Sequence, residues 1–183
     1  MLSVRELRPA DIPLIVDYWL GCTPDALRAM GADAEKLPAR EQMTAGLAGQ
    51  LALPLEQRRA YALIWELDGV PVGHCNTNPT VFGEEAYMHL HLWAGTHRRG
   101  GLGHGLVSLS LPYFFNTLRL KRLYCEPYAL NPAPNRTLEK AGFRLEREYV
   151  TVPGSINFEQ PVKRWVLTRE DFDALPKAAG HSS

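Results

Sequence analysis

Between His89 and Leu106 the chain reads HLHLWAGTHRRGGLGHGL, an alternating apolar run that passes through two arginines into a cluster of glycines. Tyr87, His89, His91 and Trp93 alternate with Met88, Leu90 and Leu92, so the period is two and the segment reads as a strand with one apolar face. Gly100, Gly101, Gly103 and Gly105 withhold Cβ atoms where backbone amides must come close to a bulky anion. From Leu102 onward LGHGLVSLSLPYFFNTL turns helical, which aims the unpaired amides of a helix N-terminus back at the glycines. Arg98 and Arg99 add full charges to those partial ones. A strand, a cationic glycine loop and a helix start in this order make a phosphate-binding device, and the fold has to present it.

The flanking pattern supplies the sheet. LSVRELR alternates as a first strand, and Pro9 with Ala10 and Asp11 opens a helix that carries Leu14, Ile15, Tyr18 and Trp19 on one face and stops at Gly21. Residues 23–54 read as one or two helices, the clearer from Arg40 to Leu53. Residues 60–67 and 70–78 flank Asp68-Gly69, a two-residue hairpin signal, and a looser turn through Pro79 and Gly83 leads into the strand ending at Trp93. After the glycine-led helix, interrupted or kinked by Pro112, KRLYCE is a strand that must run parallel to its predecessor because a helix intervenes. Arg136 to Ala141 is a short helix with Gly142 as its C-cap, residues 143–151 and 160–167 form a closing antiparallel pair, and Thr168 caps a last helix. The expected organisation is one domain over residues 1–175 and a disordered tail over 176–183.

Charge and cysteine usage narrow the function. Twenty Lys and Arg balance twenty Asp and Glu, so no global field recruits nucleic acid or an anionic membrane. The three cysteines, Cys22, Cys75 and Cys125, are scattered and odd in number, which matches neither a disulfide framework nor a zinc site, and no metal is expected. Nothing approaches the roughly 20 apolar residues of a membrane span, and the N-terminus lacks the apolar core of a signal peptide, so a cytoplasmic location is expected. A dinucleotide site is disfavoured, because the glycines are spaced GxGxG and the preceding strands are antiparallel hairpins.

The order of strand, R98-x-x-G101-x-G103, helix, parallel strand, then Asn131 followed by E139-K140-A141-G142-F143, resembles the GNAT superfamily of acetyl-CoA-dependent N-acetyltransferases. The LEKAGF segment is similar to its RimJ/RimL-like branch. The resemblance runs from the first strand to Leu167. It implies an α/β (α+β) fold: a mixed, mostly antiparallel twisted sheet with a central pair of parallel, splayed strands and helices on both faces. It further implies that acetyl-CoA is the co-substrate. Its pyrophosphate would lie on Arg98, Arg99, Gly100, Gly101, Leu102 and Gly103, its thioester near Trp93 and Ala94, and its pantetheine near Asn131 and, one helical turn on, Asn135. Gly95 replaces a common proline, and Leu138 replaces a tyrosine proposed in many members to protonate the departing thiolate.

Acetyl transfer needs a neutral amine, yet an alkyl ammonium has a pKa of about 10, so a base must take its proton. His89 and His91 share one strand face, and HLHLWAGTH resembles the paired-histidine strand of arylalkylamine N-acetyltransferases, with His89 at the catalytic offset. His89 is the expected base or relay, helped by His91 or Glu126. His74, Asn76 and Tyr87 are candidate acceptor contacts, and a half-buried polar face bonded to its neighbours is the competing account of the histidines. The acceptor is expected to be a small-molecule amine or a peptide N-terminus. Asp25, Asp33, Glu35 and Glu41, in the segment that by family analogy lines the acceptor side, are further candidates for holding an ammonium. Exposed edge strands allow a homodimer. The rival class is a non-catalytic acetyl-CoA-binding sensor or scaffold.

Overall fold

The computed structural model describes residues 1–93 and 101–176. Its strands, β1 (Leu2–Glu6), β2 (Tyr61–Leu67), β3 (Val70–Val81), β4 (Glu85–Leu92), β5 (Arg122–Cys125), β6 (Arg144–Thr151) and β7 (Gln160–Thr168), form one sheet in the order β1-β2-β3-β4-β5-β7-β6. Neighbours are antiparallel except β4 and β5, which run parallel. This is the expected mixed sheet with its central parallel pair. Asp68 and Gly69 take φ of 52° and 77°, the left-handed pair that a two-residue hairpin requires.

Alternation along the strands sorts the side chains into two layers. Leu63, Trp65, Cys75 and Met88 face one side, where α4 (Leu102–Pro112) and α5 (Pro132–Lys140) pack, and they join Leu106, Leu111, Phe114 and Leu138 in the larger core. Trp65 is fully buried there, and its Nε1–H donates to Ser110 Oγ at 2.9 Å, so the indole is satisfied as well as packed. Ile64 faces the other side and joins Leu7, Ile12, Ile15 and Val16 in a second core. That core is covered by α1 (Ile12–Gly21) and by α3 (Arg40–Ala52), whose Met43, Leu47 and Leu51 recur every four residues.

Three expectations about local structure change. The helix after the glycines is not broken at Pro112. It continues from Tyr113 to Thr117 as a π-turn, in which Leu118 N–H donates to Tyr113 O at 3.0 Å. α5 starts at Pro132 and not at Arg136, because Asn131 caps it and a proline at the first helical position has no N–H to lose. β3 runs on past Pro79 to Val81, with a register shift between Thr77 and Thr80, and the turn falls on residues 82–84. Between α1 and α3 lie a short α2 (Pro24–Ala29), capped by Thr23, and a 3-10 turn at Ala34–Lys36. A last helix, α6 (Arg169–Ala174), is capped by Thr168 as expected. Among the described residues no helix is long and apolar enough to cross a membrane.

Candidate active site

Strands β4 and β5 pair only from Glu85↔Arg122 to Tyr87↔Tyr124. Beyond Tyr87, β4 continues to Leu92 while β5 ends at Cys125, so the two strands part and the backbone edge of β4 is left without a β5 partner. A β-edge with no neighbouring strand is a place for an extended amide-bearing chain to add on. The closed end of this gap is fixed by Tyr87 stacked on Tyr124, with ring centroids 5.2 Å apart, and by the Arg164 guanidinium 4.1 Å from the Tyr124 ring centroid.

The gap opens into a cleft of ≈ 1210 Å³. At one end stands the start of α4. Gly101 is its N-cap with φ of 70°, a conformation that a side chain would strain. A Cβ on Gly103 would come 3.3 Å from Thr137 Oγ1, so the first turn of α4 lies close against α5. Arg136, Thr137 and Lys140 of α5 line the same end, and with the α4 amides they give an anion two sources of positive potential. The arginine and lysine were not singled out by sequence reasoning, although their four-residue spacing puts them on one helix face.

The histidines cluster on the sheet face that α1 covers. His74 and His91 are directly paired in the β3–β4 register and stack with centroids 4.8 Å apart at 22°. Tyr18 and Trp19 of α1 close on His91 at 5.6 and 4.7 Å, and Tyr18 Oη lies 3.3 Å from His91 Nδ1. His74 is 2% exposed and accepts the indole N–H of Trp93 on Nδ1 at 2.8 Å; burial pushes its pKa down to about 3, so it stays neutral. His89 is paired with Asn76 and is half-buried. Its Nε2–H donates to Asn78 O at 2.9 Å, which leaves Nδ1 as the basic nitrogen. Burial holds the His89 pKa below its ordinary value, against the opposing pull of the Asn78 carbonyl and the Glu126 charge. Glu126 follows β5 across the gap. Its Oε1 accepts the Tyr149 hydroxyl and lies 3.8 Å from Arg164 Nε.

His74, Asn76, His89, His91, Gly101, Gly103, Glu126 and Asn131 thus share one cleft. Tyr87, Trp93, Leu102 and Asn135 are not among its lining. Tyr87 belongs to the closed end, Trp93 holds His74, and Asn135 spends its amide on Tyr128 O, Asn131 O and the Trp165 indole. Asn131 Oδ1 caps α5 through Ala133 N at 3.4 Å. Ala94, Arg98, Arg99 and Gly100 lie outside the described residues. Asp25, Asp33, Glu35 and Glu41 do not line this cleft; Asp25 and Asp33 line a shallower depression beside Arg28 and Phe158. Among the described residues no three His, Cys, Asp or Glu side chains group to hold a metal.

Comparison with known proteins places this geometry. No curated protein sequence matches the chain. A family model described as "Acetyltransferase (GNAT) domain" matches residues 2–144. Among solved structures, a spermidine N-acetyltransferase from Vibrio cholerae in complex with CoA and spermine superposes with a TM-score of 0.75 at 18% identity, covering 93% of this chain and 97% of that one. The aminoglycoside acetyltransferase AAC(6')-Ib in complex with coenzyme A and kanamycin superposes with a TM-score of 0.71 at 19% identity, covering 94% and 98%. The same enzyme with ribostamycin and coenzyme A gives 0.72 at 19% identity, covering 98% and 99%.

Proposed function

The chain belongs to the GNAT acetyltransferase family, and from that premise we propose that it acetylates the amine of a small-molecule acceptor with His89 as the base. The observation that carries the reading is the parting of β4 and β5 beyond Tyr87 and Tyr124, with the start of α4 and a neutral histidine opening on one cleft. The residues present fit acetyl-CoA. The free edge of β4 suits its amide-bearing arm, and Gly101, Gly103, Arg136 and Lys140 suit its phosphates. The acceptors named for the solved neighbours, spermine and aminoglycosides, support an amine as the second substrate.

In acetyl transfer the amine nitrogen forms a bond to the thioester carbonyl carbon, the C–S bond breaks with its electron pair on sulfur, and of the two protons lost by the ammonium one ends on the thiol and one reaches solvent. The protein has to remove the first proton and stabilise the charge that develops on the carbonyl oxygen. His89 Nδ1 takes the proton because its tautomer is set by Asn78 O and because the ring is uncharged at neutral pH. Backbone N–H groups on the β4 edge that β5 does not cover are the candidate oxyanion donors. Within the family, LEKAGF at the end of α5 supports the RimJ/RimL-like branch, and three free cysteines support a reducing, cytoplasmic setting.

The test is thiol release from acetyl-CoA across a panel of amines and peptides, with the product identified by mass spectrometry. Acetylated amine in step with free CoA supports the reading. Acetyl-CoA binding with no acceptor consumed would point to a sensor or scaffold and refute it.

A further inference from the structure

The charge inventory of the cleft bears on which amines it accepts. Among the described residues its carboxylates are Glu6 and Glu126, set against Arg58, Arg59, Arg136 and Lys140. Glu6 is exposed and stands on β1, three strands from β4, so Glu126 is the carboxylate at the gap between β4 and β5. One carboxylate therefore remains for an incoming ammonium. The wall opposite the sheet carries Ile15 and Trp19 of α1 and Met43, Leu47 and Leu51 of α3, and its Gln42 and Gln50 spend their carbonyl oxygens on the backbone N–H groups of Ala39, Arg59 and Ala60. An acceptor with several ammonium groups would have to strip water from charges that find no partner there.

Glu126 is held in a set position. Its side chain is 9% exposed, Oε1 accepts the Tyr149 hydroxyl on β6, and Arg164 Nε on β7 adds a positive charge 3.8 Å from the same oxygen while lying 2.9 Å from Glu146 Oε2. Arg164 is itself pinned over the Tyr124 and Tyr87 rings at 4.1 and 5.5 Å. Oε2 is left without a hydrogen-bond partner among the described residues, on a side chain that lines the cleft. Glu126 and His89 line the same cleft, and the Glu126 charge acts on the His89 ring.

Resting on the acetyltransferase reading above, we propose that the acceptor is a monoamine with an uncharged, largely apolar body, whose ammonium docks on Glu126, and that Tyr149 and Arg164 are positioning residues for that carboxylate. Neither residue carries a sequence motif. Their assignment comes from the strand order β5-β7-β6, which brings them beside the end of β5.

The experiment is thiol-release kinetics with saturating acetyl-CoA, using 2-phenylethylamine and hexylamine against spermidine and kanamycin, on the wild type, Glu126→Gln and Tyr149→Phe. Acetyl-CoA affinity is measured separately by calorimetry. The monoamines are expected to show kcat/KM at least about ten-fold above the polycations. Glu126→Gln should raise the monoamine KM by about ten-fold or more, and Tyr149→Phe should raise it by about three-fold or more in the same sense. Both variants should keep the acetyl-CoA Kd, which a general loss of structure would not. Preference for spermidine or kanamycin, or an unchanged monoamine KM in Glu126→Gln, overturns this inference and leaves acetyl transfer standing. No acetyl-CoA binding, or no turnover of any amine, removes the acetyltransferase reading and this inference with it.

Discussion

Gly73 ties the packing of the sheet to the geometry of the site. It is buried on β3 between Trp65 of β2 and Leu92 of β4. A Cβ built there would lie 2.4 Å from His91 O, 3.2 Å from Trp65 Cε3 and 3.3 Å from Leu92 Cα. Trp65 cannot give way, because it is fully buried and tied to Ser110. The β4 backbone has to move instead, by about 1 Å to turn a 2.4 Å approach into an ordinary 3.4 Å contact. His89 and His91 ride on that strand. Gly73→Ala is therefore expected to cost about 1–3 kcal/mol through overpacking, which for a chain of this length lowers Tm by about 2–4 °C per kcal/mol. A misplacement of about 1 Å also costs about 100-fold in turnover. Thermal unfolding followed by circular dichroism, together with thiol release on the same preparation, measures both. Wild-type Tm and wild-type turnover together would refute the reasoning, because the β4 carbonyl would then not lie where the contact requires.

Three other perturbations have worked outcomes. His89→Ala should lower kcat by about 10²–10⁴-fold with little change in acetyl-CoA Kd, and the wild-type acid limb of kcat/KM should fall below the ordinary histidine value, since burial lowers the His89 pKa; a limb at or above that value would contradict the assignment. Arg5 pairs with Asp11 at 2.6 Å and with Glu66 at 2.7 Å, their side chains 22%, 9% and 15% exposed, so Asp11→Asn should destabilise by about 3 kcal/mol at pH 7. The Arg5 hydrogen bond lowers the Asp11 pKa, so this stabilisation is complete above its ordinary value of 3.8 and is lost as pH falls through the folded value; the gap between denaturant melts of the two proteins should hold constant from pH 7 to the ordinary value and narrow below it. Replacing Arg136 and Lys140 together by Ala should weaken acetyl-CoA binding by about ten-fold or more in calorimetry and reduce its salt dependence, with Tm unchanged because both side chains are exposed.

Local signals in the sequence were sufficient for the elements whose cause is local. Asp68-Gly69 is a hairpin because only a pair tolerant of positive φ can make that turn. The period-two strand that ends at Leu92 and the helix from Leu102 appear as expected. Pro132 to Asn135 are helical although the sequence pattern places the start of α5 at Arg136, since prolines in a first turn have no N–H to forfeit. The glycine-led start of α4 and the strand that carries His89 into the cleft could be read from the sequence. His74 could not be separated from its neighbours, because its burial and its bond from Trp93 exist only once β3 and β4 pair and α1 covers them. Tyr149 and Arg164 were out of reach for the same reason, since Glu126 and Tyr124 at the end of β5 are distant in sequence and come beside them only through the strand order β5-β7-β6.

The most direct measurement of the central claim is a crystal structure of the protein with CoA and 2-phenylethylamine. The account predicts the pantetheine arm on the free edge of β4 beyond Tyr87, the phosphates at the start of α4 near Arg136 and Lys140, and the amine between His89 and Glu126. CoA bound elsewhere, or β4 and β5 zipped together past Tyr87 and Tyr124 with the cofactor excluded, would contradict it.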